Sequence, residues 1–201
     1  MLNHCSRENL WFVDYIFGDE PACGYFIELP ADTNVSMVTR PRSSPLLSGV
    51  RTQTGMRHVW TTFSNDQIDL NYKNPDVLVE FIDILLYYIR RGARMLRLDA
   101  VAYLWKTLGT NCIHLPQTHQ VVKLFRDILA IVEPSVLIMT ETNVPHLENV
   151  SYFGAGDEAH VIYQFSLPPL LLHALFAGTS RYLNDWALGL QAFDKPTGCT
   201  Y

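Results

Sequence analysis

The sequence predicts an α/β fold of parallel β/α units, the arrangement of a (β/α)8 barrel. Three observations carry that prediction. Short apolar runs at 94–98 and 136–139 alternate with segments of helical period. Each run leads into a carboxylate, Asp99 after the first and Glu141 after the second. One helical segment separates the two runs, the order in which neighbouring parallel strands deliver two acids to one face.

The elements follow in order. Residues 9–72 read as irregular and loop-rich, with much Gly, Pro, Ser and Thr and short aromatic pieces such as Tyr25-Phe26-Ile27 and Val59-Trp60-Thr61-Thr62-Phe63. So long a weakly periodic stretch reads as a functional loop or small subdomain. Asn74 is a good N-cap and Pro75 suits the first helical position; Leu78, Phe81, Ile82, Leu85 and Leu86 then recur up to Gly92, a natural stop. A strand at about 94–98 follows. Val121, Leu124, Phe125, Ile128, Ile131 and Val132 predict a helix over about 117–132, closed by Pro134. The strand 136–139 comes next, then a loop, a third strand at about 160–165, and a helix from Pro168 or Pro169 to about Phe176.

Composition narrows the function. The 201 residues carry a formal net charge of −5 and are 48% hydrophobic, an ordinary globular balance with material for a sizeable core. No basic stripe suits nucleic acid, and Arg90, Arg91 and Arg94 are expected at a helix C-terminus, where the dipole favours cations. No run is long and apolar enough for a membrane span, and the first residues lack a signal-peptide order, so the expected location is the cytoplasm. Cys5, Cys23, Cys112 and Cys199 are scattered and read as reduced thiols. His114, His119, His146, His160 and His173 show no metal-ligand spacing, so no cofactor is expected. Gly154-Ala155-Gly156 reads as a turn rather than a phosphate cradle.

Two carboxylates on adjacent strand ends have a specific use. Retaining glycoside chemistry needs two carboxyl groups roughly 5 Å apart, one as nucleophile and the other as acid and then base. On local grounds alone Asp99 would also serve as a helix N-cap.

Several segments carry a resemblance. Arg97-Leu98-Asp99-Ala100, Thr140-Glu141, Asn3-His4 and Gln67-Ile68-Asp69-Leu70-Asn71 with Asn74-Pro75 resemble the signature regions of the α-amylase family, glycoside hydrolases and transferases built on a (β/α)8 barrel. Thr39-Arg40-Pro41-Arg42, His58-Val59-Trp60, the stretch 100–106 and the stretch 163–174 resemble its sucrose phosphorylase subfamily. The resemblance implies that Asp99 is the nucleophile and Glu141 the acid and base, and that Arg97 keeps Asp99 ionised and oriented. It also implies that His4 bonds the glucosyl unit, that Phe63, Gln67 and Tyr103 line the sugar sites, and that Arg42, or Arg40 close by, meets the acceptor phosphate. Trp60 is expected near the sugar site. The partners implied are a small α-glucoside and inorganic phosphate, with neither nucleic acid nor membrane.

The same alignment implies a partial (β/α)8 barrel: residues 1–8 end the third strand, 9–72 form an inserted, loop-rich B domain, and 73–201 supply strands four to six with their helices. The family's fourth region, a His-Asp pair, has no match here, and half a barrel would expose two sheet edges; a homodimer is one way to cover them, and the sequence leaves the oligomeric state open. The isolated chain is therefore expected to behave as a fragment with little turnover. Thr39, together with Thr142-Asn143-Val144-Pro145-His146, is closer to relatives acting on glucosylglycerate or on sucrose 6'-phosphate than to sucrose-specific ones. The rival readings are an α-glucoside hydrolase or transglucosylase of the same clan, and an inactive sugar-binding or structural piece.

Overall fold

The computed structural model describes residues 2–191 and 199–200, with residues 191, 199 and 200 described by their backbone alone. The remaining residues of the expected 73–201 segment, and the Cys199 thiol, lie outside the described residues.

The chain opens with β1 (His4–Ser6) and α1 (Leu10–Phe17). Asn9 caps α1 by accepting the Trp11 N–H at 2.9 Å, and Gly18 ends it in the left-handed conformation at φ +79°. The hairpin β2 (Leu47–Thr52) and β3 (Gly55–Trp60) follows, and then β4 (Gln67–Asp69), which pairs antiparallel with β1. The stretch expected to be irregular thus contains a capped helix and three strands.

From Asn74 the expected alternation is observed. Helix α2 (Pro75–Arg90) is capped by Asn74, whose side chain accepts the Asp76 N–H at 2.9 Å. It buries Val77, Phe81, Leu85 and Ile89, one residue per turn on one face. Gly92, at φ +94°, takes the left-handed turn that ends it. Strand β5 (Met95–Leu98), helix α3 (Pro116–Val132), strand β6 (Leu137–Thr140), helix α4 (His146–Ser151), strand β7 (Val161–Ile162), helices α5 (Leu167–Ala177) and α6 (Arg181–Gln191), and strand β8 (Cys199–Thr200) complete the order. The four strands form a parallel sheet in the order β5-β6-β7-β8, so the fold is α/β. The third expected strand is shorter than its apolar text, and α4 occupies part of the expected loop.

One continuous core holds both parts together. Leu96, Leu98, Ile138 and Ile162 of the sheet pack with the buried faces of α2 and α3, and the same cluster takes in Phe12, Tyr15, Phe26, Ile68 and Leu70. Each such side chain contributes roughly 1.5–3 kcal/mol on burial. Trp60, expected near the sugar site, belongs instead to a small second cluster with Val38, Leu46 and Cys112, and its indole N–H donates to Thr62 Oγ1 at 3.1 Å. No helix among the described residues is long and apolar enough to cross a membrane.

Candidate active site

The parallel register aligns Leu98 with Thr140, which puts Asp99 and Glu141 side by side at the carboxyl ends of β5 and β6. Neighbouring strands lie about 4.8 Å apart, so the two carboxylates start from the separation that retaining chemistry uses. The Glu141 N–H donates to Leu98 O at 3.0 Å and fixes that alignment one residue beyond the ladder. Ala100 then turns sharply at φ +51°, a conformation that costs an L-residue roughly 1–3 kcal/mol. The turn aims the Ala100 N–H at Glu141 Oε2, 2.8 Å away.

Arg97 joins the two acids. Its Nη1 lies 2.9 Å from Asp99 Oδ1 and its Nη2 lies 3.5 Å from Glu141 Oε1. The guanidinium also lies over the Tyr163 ring, 5.7 Å from its centroid. The Asp99 side chain is 30% exposed and that of Glu141 19%, so both acids remain open to a ligand.

A cleft of about 320 Å³ forms above them, lined by His4, Pro41, Arg42, Phe63, Gln67, Asp99, Ala100, Tyr103, Glu141, Thr142, Asn143 and Phe165. That volume is at the small end of the ~300–1,000 Å³ usual for small-molecule sites. Seven of the eight site residues expected from the sequence line it, and the eighth, Arg97, bonds two of those seven. A larger groove of about 800 Å³ lies on the far side of His4, against α1 and α2, but it includes neither Asp99 nor Glu141.

The cleft wall is aromatic. The His4 and Phe63 rings lie 5.4 Å apart, and Phe63 meets Tyr103 edge-on at 5.2 Å, a pattern suited to the apolar face of a sugar. Burial, aided by Glu141 and opposed by Arg42, raises the Tyr103 phenol above its ordinary pKa and keeps it a hydrogen-bond donor. Burial lowers His4, although Asp69 and Asp99 pull upward, so its imidazole is neutral near pH 7. The His4 Nε2 bonds the Gln67 side chain at 2.7 Å. Arg40 turns away from the cleft: its Nη2 bonds the Ser43 and Ser44 carbonyls at 3.2 and 2.5 Å. Of the two candidate arginines, the cleft therefore holds Arg42.

A buried ionic cluster beneath His4 was not foreseen. Asp69 is fully buried and receives Lys106 Nζ at 2.7 Å, Asn3 Nδ2 at 2.9 Å, the Thr62 N–H at 2.9 Å and Thr62 Oγ1 at 2.6 Å. Lys106 also donates to Asn3 Oδ1 at 2.7 Å. The charged partners stand far apart in the chain, and no local pattern pairs them.

A family profile described as "Alpha amylase, catalytic domain" matches residues 1–183. The chain is 54% identical over 193 residues to a glucosylglycerate phosphorylase of Spirochaeta thermophila, covering 96% of the chain and 33% of that protein. It is 50% identical over 189 residues to a glucosylglycerate phosphorylase of Allomeiothermus silvanus, covering 94% and 34%. The chain thus spans about a third of the length of the curated relatives it matches. Among solved structures, the crystal structure of sucrose 6F-phosphate phosphorylase from Thermoanaerobacter thermosaccharolyticum superposes with a TM-score of 0.77 at 22% identity, covering 92% of this chain and 40% of that one. At that identity the likeness speaks for the fold.

Proposed function

The chain belongs to the alpha-amylase catalytic-domain family, and from that membership we propose that it carries the donor site of a retaining α-glucoside phosphorylase acting on glucosylglycerate. The observation behind the proposal is the pair of carboxylates on adjacent strand ends, bridged by one guanidinium inside a cleft with an aromatic wall and a basic residue. In this reading residues 1–8 and 73–201 are consecutive parts of a (β/α)8 barrel and 9–72 are its B domain. A cytoplasmic location suits the free thiols of Cys5, Cys23 and Cys112.

The chemistry has two steps. Asp99 attacks the anomeric carbon as the glycosidic bond breaks and Glu141 gives its proton to the departing oxygen. A phosphate oxygen then attacks the glucosyl carbon, the bond to Asp99 breaks, and Glu141 takes the proton from the incoming phosphate. Arg97 orients Asp99 through the first step, and Arg42 offers the positive charge that an anionic acceptor requires. His4 and Gln67, already bonded to each other, stand ready for the hydroxyls of the glucosyl unit.

The test is glucose 1-phosphate release from glucosylglycerate, sucrose and sucrose 6'-phosphate with inorganic phosphate. It uses the chain alone and the chain joined to the flanking segments that its relatives carry. Phosphate-dependent release from glucosylglycerate, abolished in Asp99→Asn, is expected from the joined form. Donor cleavage that yields free glucose or a new glucoside whether or not phosphate is present would replace the phosphorylase by a hydrolase or transglucosylase, and no cleavage by either form would overturn the reading.

A further inference from the structure

We infer that Asn149 is a positioning residue that fixes the backbone carrying Glu141 and so sets the reach of that carboxyl toward the leaving oxygen. The inference rests on the acid role proposed above.

The β6–β7 ladder ends at Thr140 and Ile162, followed by one backbone bond from the Tyr163 N–H to Thr140 O at 3.1 Å. Beyond that point residues 141–145 have no regular structure, yet they carry Glu141 and two further cleft residues. Asn149, on α4 and only 3% exposed, spans the gap. Its Nδ2 donates to Tyr163 O at 2.9 Å, and its Oδ1 accepts from Thr142 Oγ1 at 2.5 Å. Its own N–H is bonded to Pro145 O at 3.0 Å, which ties the far end of the same loop.

One amide thus uses both its donor and its acceptor on two neighbouring strand ends, which a carboxylate, with no donor, cannot reproduce and a shorter hydroxyl would have to do from a single oxygen. The partners matter as much as the bonds. Thr142 directly follows Glu141, while Tyr163 backs the Arg97 guanidinium that contacts both acids. Asn149 lies outside the cleft lining, so it acts through these neighbours rather than on a sugar.

Two arms test this with Asn149→Ala and Thr142→Val; the second removes only the hydroxyl donor and guards against a folding failure in the first. In the chain itself, amide exchange is followed at Ala100, whose N–H reports whether the Glu141 carboxylate is in place. We expect Ala100 exchange to accelerate about tenfold in both variants while the Leu96 and Leu98 amides of β5 keep their protection. Unchanged Ala100 exchange, or equal acceleration along β5, would overturn the inference.

The second arm compares donors in the joined form. Glucosylglycerate needs a proton on its leaving oxygen, whereas α-glucosyl fluoride expels fluoride as its C1–F bond breaks under attack by Asp99. For Asn149→Ala, reading the burst of leaving-group release that reports the first step alone, we expect a roughly 10–100-fold loss on glucosylglycerate, within the range of general acid catalysis, and less than about twofold on the fluoride. Equal losses on both donors would reduce Asn149 to a purely structural part. Should the unsubstituted protein turn over neither donor, the phosphorylase reading fails while the exchange arm still decides whether Asn149 positions Glu141.

Discussion

Breaking the buried Lys106–Asp69 pair by Lys106→Met is expected to destabilise the chain by about 3–5 kcal/mol. At 2.7 Å the attraction is about 6 kcal/mol for an effective dielectric of ~20. Against it stands desolvation: burial pushes the Lys106 ammonium below its ordinary pKa even though Asp69 pulls upward. Removing the cation leaves Asp69 with the donors of Asn3 and Thr62 but without a counter-charge, fully out of water. The same balance makes a second statement. Because desolvation consumes much of the attraction, Lys106→Met with Asp69→Asn should recover about 2 kcal/mol or more of the loss. Urea and thermal denaturation followed by circular dichroism read both values, the single variant losing roughly 6–20 °C in Tm. A loss under about 1 kcal/mol, or strict additivity of the two substitutions, would refute the argument.

His160 Nδ1 accepts the Ile138 N–H at 3.0 Å, and burial, with Arg126, lowers its pKa; its stabilisation is complete above the ordinary histidine value and lost as pH falls through the lowered folded value. His160→Asn should therefore flatten the acid-side fall in Tm, the bond being worth about 1 kcal/mol, and an unchanged slope would count against it. Arg42→Ala should raise the KM for phosphate roughly tenfold or more, with little change in the initial burst of fluoride from α-glucosyl fluoride, which precedes the phosphate step; an unaltered phosphate dependence would remove Arg42 from the acceptor site. Asn74→Ala should cost about 1 kcal/mol in urea denaturation, since the cap on Asp76 is lost together with the bond from Asn74 Nδ2 to Gly24 O at 3.1 Å.

The helices were legible where one face is buried. Phe81 and Leu85 on α2, and Val121 and Phe125 on α3, are the residues of the expected helical period that the helices bury, and the bounds came within two residues; Leu124, Ile131 and Val132, read into the same buried face of α3, are exposed, and Leu129 takes their place in the core. Helix α1 was not legible because Leu10-Trp11-Phe12-Val13 and Tyr15-Ile16-Phe17 are apolar all round; Asn9 and Gly18 were the signals to follow. The hairpin β2–β3 lacked strict alternation, with Gly49, Arg51 and Arg57 among its residues. The strand expected over 160–165 stops at Ile162 because the Tyr163 carbonyl turns to Asn149 instead of a strand neighbour. The residues that line the cleft were picked out by motif, and the partners that hold them were not: Asn149, Asp69 and Lys106 act across distances in the chain that no short pattern spans.

Asp69 explains how two unlike parts of the molecule make one cleft. The segment 9–72 brings Arg42, Phe63 and Gln67, while the parallel sheet brings Asp99, Glu141 and Tyr103. These can face each other at a fixed distance only if something rigid joins the segments. Asp69 ends β4, two residues after Gln67; Thr62 directly precedes Phe63; Asn3 directly precedes His4; Lys106 follows Tyr103 by three. Four cleft residues therefore stand one to three positions from a member of one buried cluster. A displacement at Lys106 would move the aromatic wall relative to the acids, so Lys106→Met should weaken sugar binding even at temperatures where the chain stays folded. Unaltered affinity for a glucosyl ligand in a folded Lys106→Met sample would separate the cluster from the cleft and leave it a contributor to stability alone.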